Sequence, residues 1–343
     1  MIVEPRIRGY ICTTAHPVGC AAHVDRMIAE ARERTFNGPK RALVIGCSTG
    51  YGLASRTALT FGGGSDTLGV MYERPAEGRR TASAGFYNTR AFEQRARRAG
   101  RYAETINGDA FSGAVKAEAA SRVRQDLGQV DLVVYSVAAP GRIMPGGEQV
   151  RSVIKPVGEV YQSKSLNLQT GLIEDISLEP ADEEEIRQTI LVMGGSDWSD
   201  WIHYLHDEGV LAENAVTVSY SYIGPELTYP IYRDGTIGLA KQDLYRTAAG
   251  LLEAAEAGAL PLAGAWVSVN KAVVTQSSAA IPGVALYLAA LYHEMKAQGT
   301  HEGCQGQMSR LFADRLYHGT GRPEPQLDPA GLIRLDDREM DPA

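Results

Sequence analysis

The chain has 343 residues, 44% of them hydrophobic, and a formal net charge of −7. This composition is sufficient to bury a large core, and the negative charge argues against a nucleic-acid partner because it repels phosphate. Four cysteines in a chain of this size predict no disulfide framework.

The sequence predicts neither a secretory signal nor a membrane span. The first residues, MIVEPRIRGYICTT, lack a continuous apolar run, so a cytoplasmic location is expected. The most apolar segment, residues 279–292, is shorter than the roughly 20 residues that cross a bilayer. It is therefore predicted to be a buried core helix, and it could also line an acyl pocket.

From residue 41 onward, short apolar runs alternate with helical stretches, which is typical of a parallel sheet wrapped by crossover helices. The predicted strands cover 42–46, 67–73, 102–106, 130–138, 215–222 and 265–274. The predicted helices cover 50–61, 88–99, 112–127, 183–193, 197–208 and 236–257. The pattern predicts an α/β fold with a Rossmann-like, doubly wound parallel sheet.

Two segments lie outside this alternation. Residues 1–40 form an N-terminal extension with one amphipathic helix, whose apolar stripe is Val24, Met27, Ile28 and Ala31. Residues 139–180 are rich in Gly, Pro and Ser and are predicted to be an insertion, more loop than domain. We therefore expect a single Rossmann-like domain over 1–343, with a nucleotide-binding half at 41–138 and a catalytic half with substrate-pocket helices at 181–343.

A glycine-rich turn follows the first predicted strand. The sequence GCSTGYG has the GxxxGxG spacing used by folds of the short-chain dehydrogenase type. Glycines at such a turn let the backbone approach a pyrophosphate, which the helix N-terminal amides then hold. The alternative is a tight turn with no ligand. We expect the whole turn to bind a dinucleotide, through Gly46, Cys47, Ser48, Thr49, Gly50, Tyr51 and Gly52.

Acidic residues extend the predicted cofactor site. Glu73, at the end of the second predicted strand, can accept both ribose hydroxyls of NAD and would repel the 2′-phosphate of NADP. Arg74 argues for NADP, but Glu73 holds the strand-end position, so NADH is the expected cofactor. Asp109, after the third strand, can accept from the adenine amino group. Further expected contacts are Tyr72, Ala110, and the small residues Val137 and Ala138 that end the fourth strand.

The segment SYIGPELTYPIYRDGTIGLAK carries three tyrosines and a lysine. In one continuous helix, Tyr232 and Lys241 would lie on opposite faces. Thr236 is instead a predicted N-cap, so Tyr232 lies on the preceding loop and can fold back over Lys241. The buried stripe of the helix is predicted to be Ile237, Ala240, Leu244, Ala248 and Leu251.

This arrangement predicts a catalytic pair. A nearby ammonium favours the phenolate and eases proton transfer, which suits Tyr232 as proton donor and Lys241 as its partner. Tyr222, at a strand end, is placed to contact a substrate carbonyl. Tyr229 has no comparable position.

Several longer stretches make the chain resemble a known family. They are IRGYICTTAHPVGC, VIGCSTGYGLASR, INGDAFS, LGQVDLVVYS, VMGGSDW, SYIGPE, IYRDGTIGLAK, VSVNKAVVTQSSAAIP and HEGCQGQMSRLF. The chain resembles the trans-2-enoyl thioester reductases, the group that contains the FabV-type enoyl-acyl-carrier-protein reductases and the trans-2-enoyl-CoA reductases.

The resemblance implies NADH-dependent reduction of an enoyl thioester, carried on acyl carrier protein or CoA, in fatty acid synthesis. It implies that Tyr232 is the proton donor of a Y-x8-K motif, Lys241 its cofactor-holding partner, and Tyr222 a substrate contact. Further nicotinamide contacts are implied at Val273, Val274 and Thr275. A monomer is expected.

Two features depart from the family pattern. The usual SLASP is SVAAP here, beside the expected nicotinamide site. The chain stops at DREMDPA, where Asp341 and Pro342 look like the N-cap and first residue of another helix, and the family continues past this point. The chain is therefore expected to stop short of a terminal packing element.

The sequence also leaves other functions open. Cys12, His16, Cys20 and His23 are ligand types that zinc uses. Their spacing matches no usual finger, and Pro17 and Gly19 are expected to break the helix that would align them, so no metal site is predicted. A non-catalytic NAD-binding sensor and a short-chain-type carbonyl reductase acting on a ketone are the remaining alternatives.

An arginine-rich stretch between residues 74 and 101 is a candidate docking surface for the carrier. Local positive charge on an acidic protein would steer an acidic or phosphorylated carrier, and the alternative is a solvated helix face. The stretch includes Arg79, Arg80, Arg90, Arg95, Arg97 and Arg98.

Overall fold

A parallel sheet of seven strands forms the centre of this computed structural model, which describes residues 2–8, 11–168, 170–275, 278, 281, 283–319 and 322–341. The strands are β1 (Arg41–Ile45), β2 (Asp66–Met71), β3 (Ala103–Asn107), β4 (Val130–Tyr135), β5 (Leu211–Ser221), β6 (Leu262–Val269) and β7 (Ile333–Arg334). Their order is β3-β2-β1-β4-β5-β6-β7, and the predicted Rossmann-like sheet is confirmed. The order reverses between β1 and β4, where open α/β sheets bind ligands.

The strands end earlier than the sequence pattern predicts. β2 stops at Met71 rather than at residue 73, β4 at Tyr135 rather than 138, and β6 at Val269 rather than 274. The pattern overruns because apolar residues continue past the strand ends, where they line a cavity instead of pairing in the sheet. The two-residue β7 was not predicted, since so short a run shows no periodicity.

Helices cover both faces of the sheet, which explains why its central strands are apolar throughout. They are α1 (Pro17–Arg32), α2 (Gly50–Thr57), α3 (Ala84–Arg98), α4 (Gly113–Arg122), α5 (Glu183–Met193), α6 (Ser196–Asp207), α7 (Thr236–Glu256), α8 (Val284–Ala297) and α9 (Cys304–Arg310). Three continue into π-helical turns, at Ala58–Gly62, Val123–Leu127 and Leu311–Leu316. Within the described residues, no helix is both long and apolar enough to span a membrane.

The start of α7 differs from the prediction by one residue. Gly235 is the N-cap, and the assignment of Thr236 to that position is wrong. The Thr236 hydroxyl is drawn elsewhere, because it donates to the carbonyl of Val153 at 2.6 Å. The buried stripe of α7 is confirmed at Ile237, Ala240, Leu244, Ala248 and Leu251.

The N-terminal extension packs a single helix against the domain. The predicted stripe of α1 is buried at Val24, Met27, Ile28 and Ala31. Pro17 opens this helix and Gly19 lies inside it, so the expectation that they break it is wrong. Proline is tolerated in a first turn because its missing N–H would have no partner there. The helix is capped by His16, whose Nδ1 accepts from the Gly19 amide at 3.3 Å.

The insertion is more ordered than predicted. It contains an antiparallel pair at Gly141–Ile143 and Gln149–Arg151 and another at Tyr161–Leu166 and Ile173–Leu178. In the second pair, partly buried and exposed side chains alternate over much of Tyr161–Leu166. This period-two pattern is typical of a strand, but in short polar strands the sequence resembles that of a loop.

The apolar segment at 279–292 is not the fully buried helix that was expected. α8 begins only at Val284, and Leu288 is one of the few residues that it buries. Val284 and Leu288 both line the cavity described below. Ala279, Ala280 and Pro282, like the proposed helix start at Pro342, lie outside the described residues.

Candidate active site

A cavity of about 1410 Å³ lies beyond the carboxyl ends of the central strands. It exceeds the ~300–1,000 Å³ of an ordinary ligand pocket, so a dinucleotide and a second ligand can share it. Its wall contains most of the predicted site residues: Gly46, Ser48, Thr49, Gly50, Tyr51, Tyr72, Glu73, Asp109, Ala110, Val137, Ala138, Tyr222, Tyr232, Lys241, Val273, Val274 and Thr275.

The glycine turn has two glycines that serve packing and one that faces open space. A Cβ on Gly46, whose φ is +84°, would lie 2.1 Å from the carbonyl oxygen of Ser136, and one on Gly52 would lie 1.9 Å from that of Gly46. Gly50 has φ +54°, and a Cβ there would meet only Thr275, at 3.9 Å. Gly46 and Gly52 therefore close the strand-to-helix turn, while Gly50 leaves the start of α2 open to a ligand.

Two predicted cofactor residues do not reach the cavity wall. Gly52 packs under the turn, and Cys47 is fully buried with its Sγ 3.7 Å from Nη1 of Arg56. Burial raises the pKa of the Cys47 thiol, so it is an inert core group. Thr49 caps α2 with an extended backbone and no side-chain hydrogen bond, which leaves the first amides of the helix available.

Glu73 is fixed at the cavity wall, two residues beyond the end of β2. Its Oε1 accepts from the Ser48 hydroxyl at 2.7 Å. The Asn107 side chain holds its backbone on both sides, through Glu73 N to Oδ1 and Nδ2 to Glu73 O, each at 2.8 Å. Gly85 gives it room, since a Cβ there would lie 2.0 Å from Oε1. Asn107 and Gly85 were missed, although Asn107 lies in the quoted INGDAFS motif.

Arg74 is turned away from this site. Its Nη1 donates to the carbonyl of Thr81 at 2.8 Å, and it does not line the cavity. Asp109 does line it, but its Oδ1 already accepts from the Phe111 amide at 3.0 Å. The carboxylate of Glu73 is thus the acidic group best placed for a ribose.

Lys241 lies in the second turn of α7 and projects toward the end of β5. Its Nζ donates to the carbonyl of Tyr220 at 3.1 Å, which leaves further N–H donors for a ligand. Burial lowers the pKa of Lys241 to about 8. The Lys241 ammonium therefore loses its charge within the pH range in which enzymes are assayed.

Tyr232 lies on the loop before α7, as predicted, and its backbone folds back against the first turn of that helix rather than over Lys241. Gly238 permits this close approach, since a Cβ on it would lie 2.1 Å from the carbonyl oxygen of Tyr232. The Tyr232 ring is 7% exposed and meets Tyr222 edge to face, with 4.6 Å between centroids. Its hydroxyl makes no hydrogen bond within the described part of the chain.

The expected electrostatic pairing of Tyr232 with Lys241 is not seen. The pKa of Tyr232 is raised, first by burial and then by the charge of Glu339. Lys241 points at Tyr220 instead, because a buried ammonium takes the nearest carbonyl. The two side chains share a cavity wall without a direct contact among the described interactions.

Sequence reasoning missed Lys271 on the cavity wall, and Glu339 and Tyr287, which do not line the cavity but are joined to Tyr222 by hydrogen bonds. Glu339 accepts from the Tyr222 hydroxyl at 2.8 Å and from the Tyr287 hydroxyl at 2.5 Å. Lys271 is 1% exposed, and burial lowers its pKa. Glu339 lies 117 positions after Tyr222, so no local spacing could have joined them.

Tyr229 is placed outside the site. The Arg233 guanidinium lies 3.6 Å over its ring, and Tyr229 does not line the cavity. The loop after β6 does line it, with Val273, Val274 and Thr275 on the wall. The hydroxyl of Ser278 steadies this loop by accepting from the Thr275 amide and donating to the Val273 carbonyl, both at 2.8 Å.

Comparison with known protein families divides the chain between two models. Residues 80–317 match the trans-2-enoyl-CoA reductase catalytic region, and residues 2–78 match the NAD(P)H binding domain of trans-2-enoyl-CoA reductase. Together they span nearly the whole chain.

Individual proteins give the same result. The chain is 52% identical to an enoyl-[acyl-carrier-protein] reductase [NADH] of Opitutus terrae, over 100% of this chain and 86% of that protein. It is 50% identical to a trans-2-enoyl-CoA reductase [NADH] of Ruminiclostridium cellulolyticum, over 100% and 85%.

Solved structures agree in fold. Trans-2-enoyl-CoA reductase of Clostridium acetobutulicum in complex with NADH superposes with a TM-score of 0.94 at 38% identity, over 100% of this chain and 85% of that one. The enzyme of Treponema denticola in complex with NAD gives 0.93 at 43% identity, over 100% and 86%. With its glycine turn, its tyrosines and its lysine on one cavity wall, the chain belongs to the trans-2-enoyl-CoA reductase family.

Proposed function

We propose that the cavity is where this chain reduces the trans-2 double bond of an enoyl thioester, with Tyr232 as the proton donor. The chain is an NADH-dependent enoyl reductase by its family. The observation that carries the proposed role of Tyr232 is that this residue lines the cavity while its hydroxyl keeps its proton uncommitted within the described residues. No other phenol described beside it has that freedom, since Tyr222 and Tyr287 donate to Glu339.

The chain's residues fit NADH. The open space at Gly50 and the free amides of α2 suit a pyrophosphate. One oxygen of Glu73 is engaged by Ser48, and the carboxylate favours ribose hydroxyls over a 2′-phosphate. The remaining N–H donors of Lys241 suit the nicotinamide ribose. The loop at Val273–Thr275 suits the nicotinamide ring.

The chemistry needs one hydride and one proton. NADH supplies the hydride to the β-carbon of the enoyl thioester. The double-bond electrons then move toward the thioester oxygen, and that charge needs a hydrogen-bond donor. Tyr232 donates a hydrogen bond to the thioester oxygen while charge develops there. The Tyr232 proton is then transferred to the α-carbon as the carbonyl bond re-forms, and the phenolate regains a proton from water. Its raised pKa keeps it protonated until the charge develops.

Steady-state oxidation of NADH tests the proposal. We expect turnover with trans-2-enoyl-CoA or an enoyl acyl carrier protein, and a saturated thioester as the product by mass spectrometry. Turnover of ketones alone would instead indicate a carbonyl reductase, and NADH binding without turnover would indicate a sensor. The choice of carrier, the acyl chain length and the monomeric state stay predictions.

Replacing Glu73 with Ala is expected to weaken the preference for NADH. The loss of a charged acceptor for the ribose should lower the NADH-to-NADPH ratio of kcat/KM by about tenfold. The matched control is Glu77→Ala, because Glu77 is an exposed carboxylate in the same loop that does not line the cavity. Equal kcat/KM for the two cofactors in the unmodified enzyme would contradict the role given to Glu73.

The structure narrows the candidate docking surface for the carrier. Arg95 forms paired hydrogen bonds with Asp25, and Arg97 contacts Glu93 and Glu104. Reversing Arg97 would therefore gather carboxylates and disturb the fold, so it is a poor test of docking. Arg79 and Arg98 are better choices, since no direct side-chain partner is described for either.

The double variant Arg79→Glu and Arg98→Glu is expected to raise KM for the thioester roughly tenfold at low ionic strength. Steering by surface charge is screened by salt, so the difference from the unmodified enzyme should vanish at high ionic strength. The control is the double variant Arg122→Glu and Arg322→Glu, two exposed arginines outside this stretch for which no salt bridge is described. An unchanged KM at low salt would indicate that this surface is only a solvated helix face and does not bind the carrier.

A further inference from the structure

Glu339 lies in the turn that follows β7 and contacts Tyr222, which lines the cavity, without lining the cavity itself. Its Oε1 accepts from the hydroxyls of Tyr222 at 2.8 Å and Tyr287 at 2.5 Å, and its Oε2 accepts from the Ala272 amide at 2.7 Å. It forms no salt bridge within the described residues. A carboxylate held by three neutral donors is an acceptor only, and it fixes the direction in which each donor points its proton.

The three phenols around this carboxylate differ in what they can give. A phenol has one proton, and those of Tyr222 and Tyr287 are committed to Glu339. The Tyr232 ring touches that of Tyr222 edge to face, yet its hydroxyl makes no described hydrogen bond. Of these three phenols, only Tyr232 keeps its proton free for a substrate among the described residues.

We propose that Glu339 is a positioning residue that decides which tyrosine protonates the substrate. By accepting hydrogen bonds from the hydroxyls of Tyr222 and Tyr287, it leaves Tyr232 as the donor to the substrate and restricts Tyr222 to shaping the site and accepting hydrogen bonds. This rests on the proposed function, in which a phenol must supply a proton.

The turn that carries Glu339 is anchored firmly enough for this role. The Glu339 amide donates to the carbonyl of Asp336 at 2.9 Å. Asp336 pairs with Arg334 at 2.6 Å, and Asp337 with the buried Arg310 at 2.7 Å. The turn that carries the carboxylate therefore cannot move far without breaking these ion pairs.

Charge acts in the same direction as the hydrogen bonds. The pKa is raised, first by burial and second by the charge of Glu339, at Tyr222, Tyr287 and Tyr232. Burial raises the pKa of Glu339 itself, and its hydrogen bonds and the facing Lys271 lower it. The carboxylate thus holds all three phenols in their protonated form.

The test is a double-mutant cycle between Glu339→Gln and Tyr232→Phe. A glutamine that keeps its oxygen on the Ala272 amide turns its NH₂ group toward the tyrosine hydroxyls. Those hydroxyls must then accept hydrogen bonds from the NH₂ group, which leaves their own protons free for another acceptor. Tyr232→Phe alone should cost about 10² to 10⁴ in kcat. In the Glu339→Gln background we expect it to cost at least about tenfold less, because Tyr222 can then donate.

Tyr222→Phe should show the opposite trend and cost more in the Glu339→Gln background than in the unmodified enzyme. NADH binding, followed by fluorescence titration, should be the same in all variants. Glu302→Gln is the matched control, since Glu302 is also a buried carboxylate but pairs with Arg310 and Arg338. In that background Tyr232→Phe should keep its full cost.

The proposal is overturned when Tyr232→Phe costs the same factor with and without Glu339→Gln, or when Glu302→Gln reduces that cost equally. Thermal melting shows whether each variant folds. Glu339→Asp replaces a variant that does not fold, because its shorter side chain opens at least one contact and permits the same comparison. An unmodified enzyme that does not oxidise NADH with any enoyl thioester overturns the proposed function as well, whereas an active enzyme with an unchanged cycle overturns this inference alone.

Discussion

Replacing Tyr232 with Phe is expected to lower kcat by about 10² to 10⁴, the usual effect of removing a general acid. The ring and its packing against Tyr222 are kept, and only the uncommitted proton is lost. NADH binding should change little, because the proposed partner of the hydroxyl is the substrate rather than the cofactor. Single-turnover measurement of NADH oxidation separates this loss from product release.

Tyr222→Phe is the matched comparison for that experiment. The Tyr222 hydroxyl donates to Glu339, so its removal takes away a support rather than the acid. We expect a smaller loss of kcat than for Tyr232→Phe. The assignment is reversed when Tyr232→Phe retains near-normal turnover while Tyr222→Phe abolishes it.

Replacing Lys241 with Ala is expected to impair both turnover and NADH binding. Removal of a charged donor from a site where charge develops typically costs about 10² to 10³ in rate. The dissociation constant for NADH should rise as well, since the remaining Nζ donors are the expected partners of the ribose. Intact NADH affinity with lost turnover would assign Lys241 to the chemistry alone.

The pH profile gives an independent check on Lys241. Burial lowers the pKa of Lys241 from its ordinary value of 10.5 to about 8, so the ammonium is present below pH 8 and is lost as the pH rises through that value. The kcat/KM profile of the unmodified enzyme should therefore fall above a pH of about 8. In Lys241→Arg the guanidinium stays charged, and the fall should move to higher pH. A fall at the same pH in both proteins would assign it to another group.

The fold and the nucleotide half of the site followed from local sequence patterns. Apolar runs separated by helical stretches specify a parallel sheet, because both faces of such strands are buried. The role of Gly46 and Gly50 was also readable, since their spacing after a strand reflects a turn that only glycine permits. Glu73 was placed near its true position, although the strand ends two residues earlier.

Only part of the catalytic half of the site could be predicted from the sequence. The position of Tyr232 on the loop before α7 followed from the helix start, but its electrostatic surroundings did not. Lys241 was expected to lower the pKa of Tyr232, and burial together with Glu339 raises it instead. Glu339 supports Tyr222 through a contact between residues 117 positions apart, and such contacts leave no periodic signal in the sequence.

The position of Glu339 in the chain bears on how the enzyme comes into being on the ribosome. Synthesis proceeds at about 5–20 residues per second from the N-terminus, and the nucleotide-binding turn at Gly46 can fold long before residue 339 is made. The nascent chain can thus acquire a cofactor pocket while its tyrosines still lack the carboxylate that orders them. Competence for chemistry therefore comes only after the turn that follows the edge strand β7 has been made.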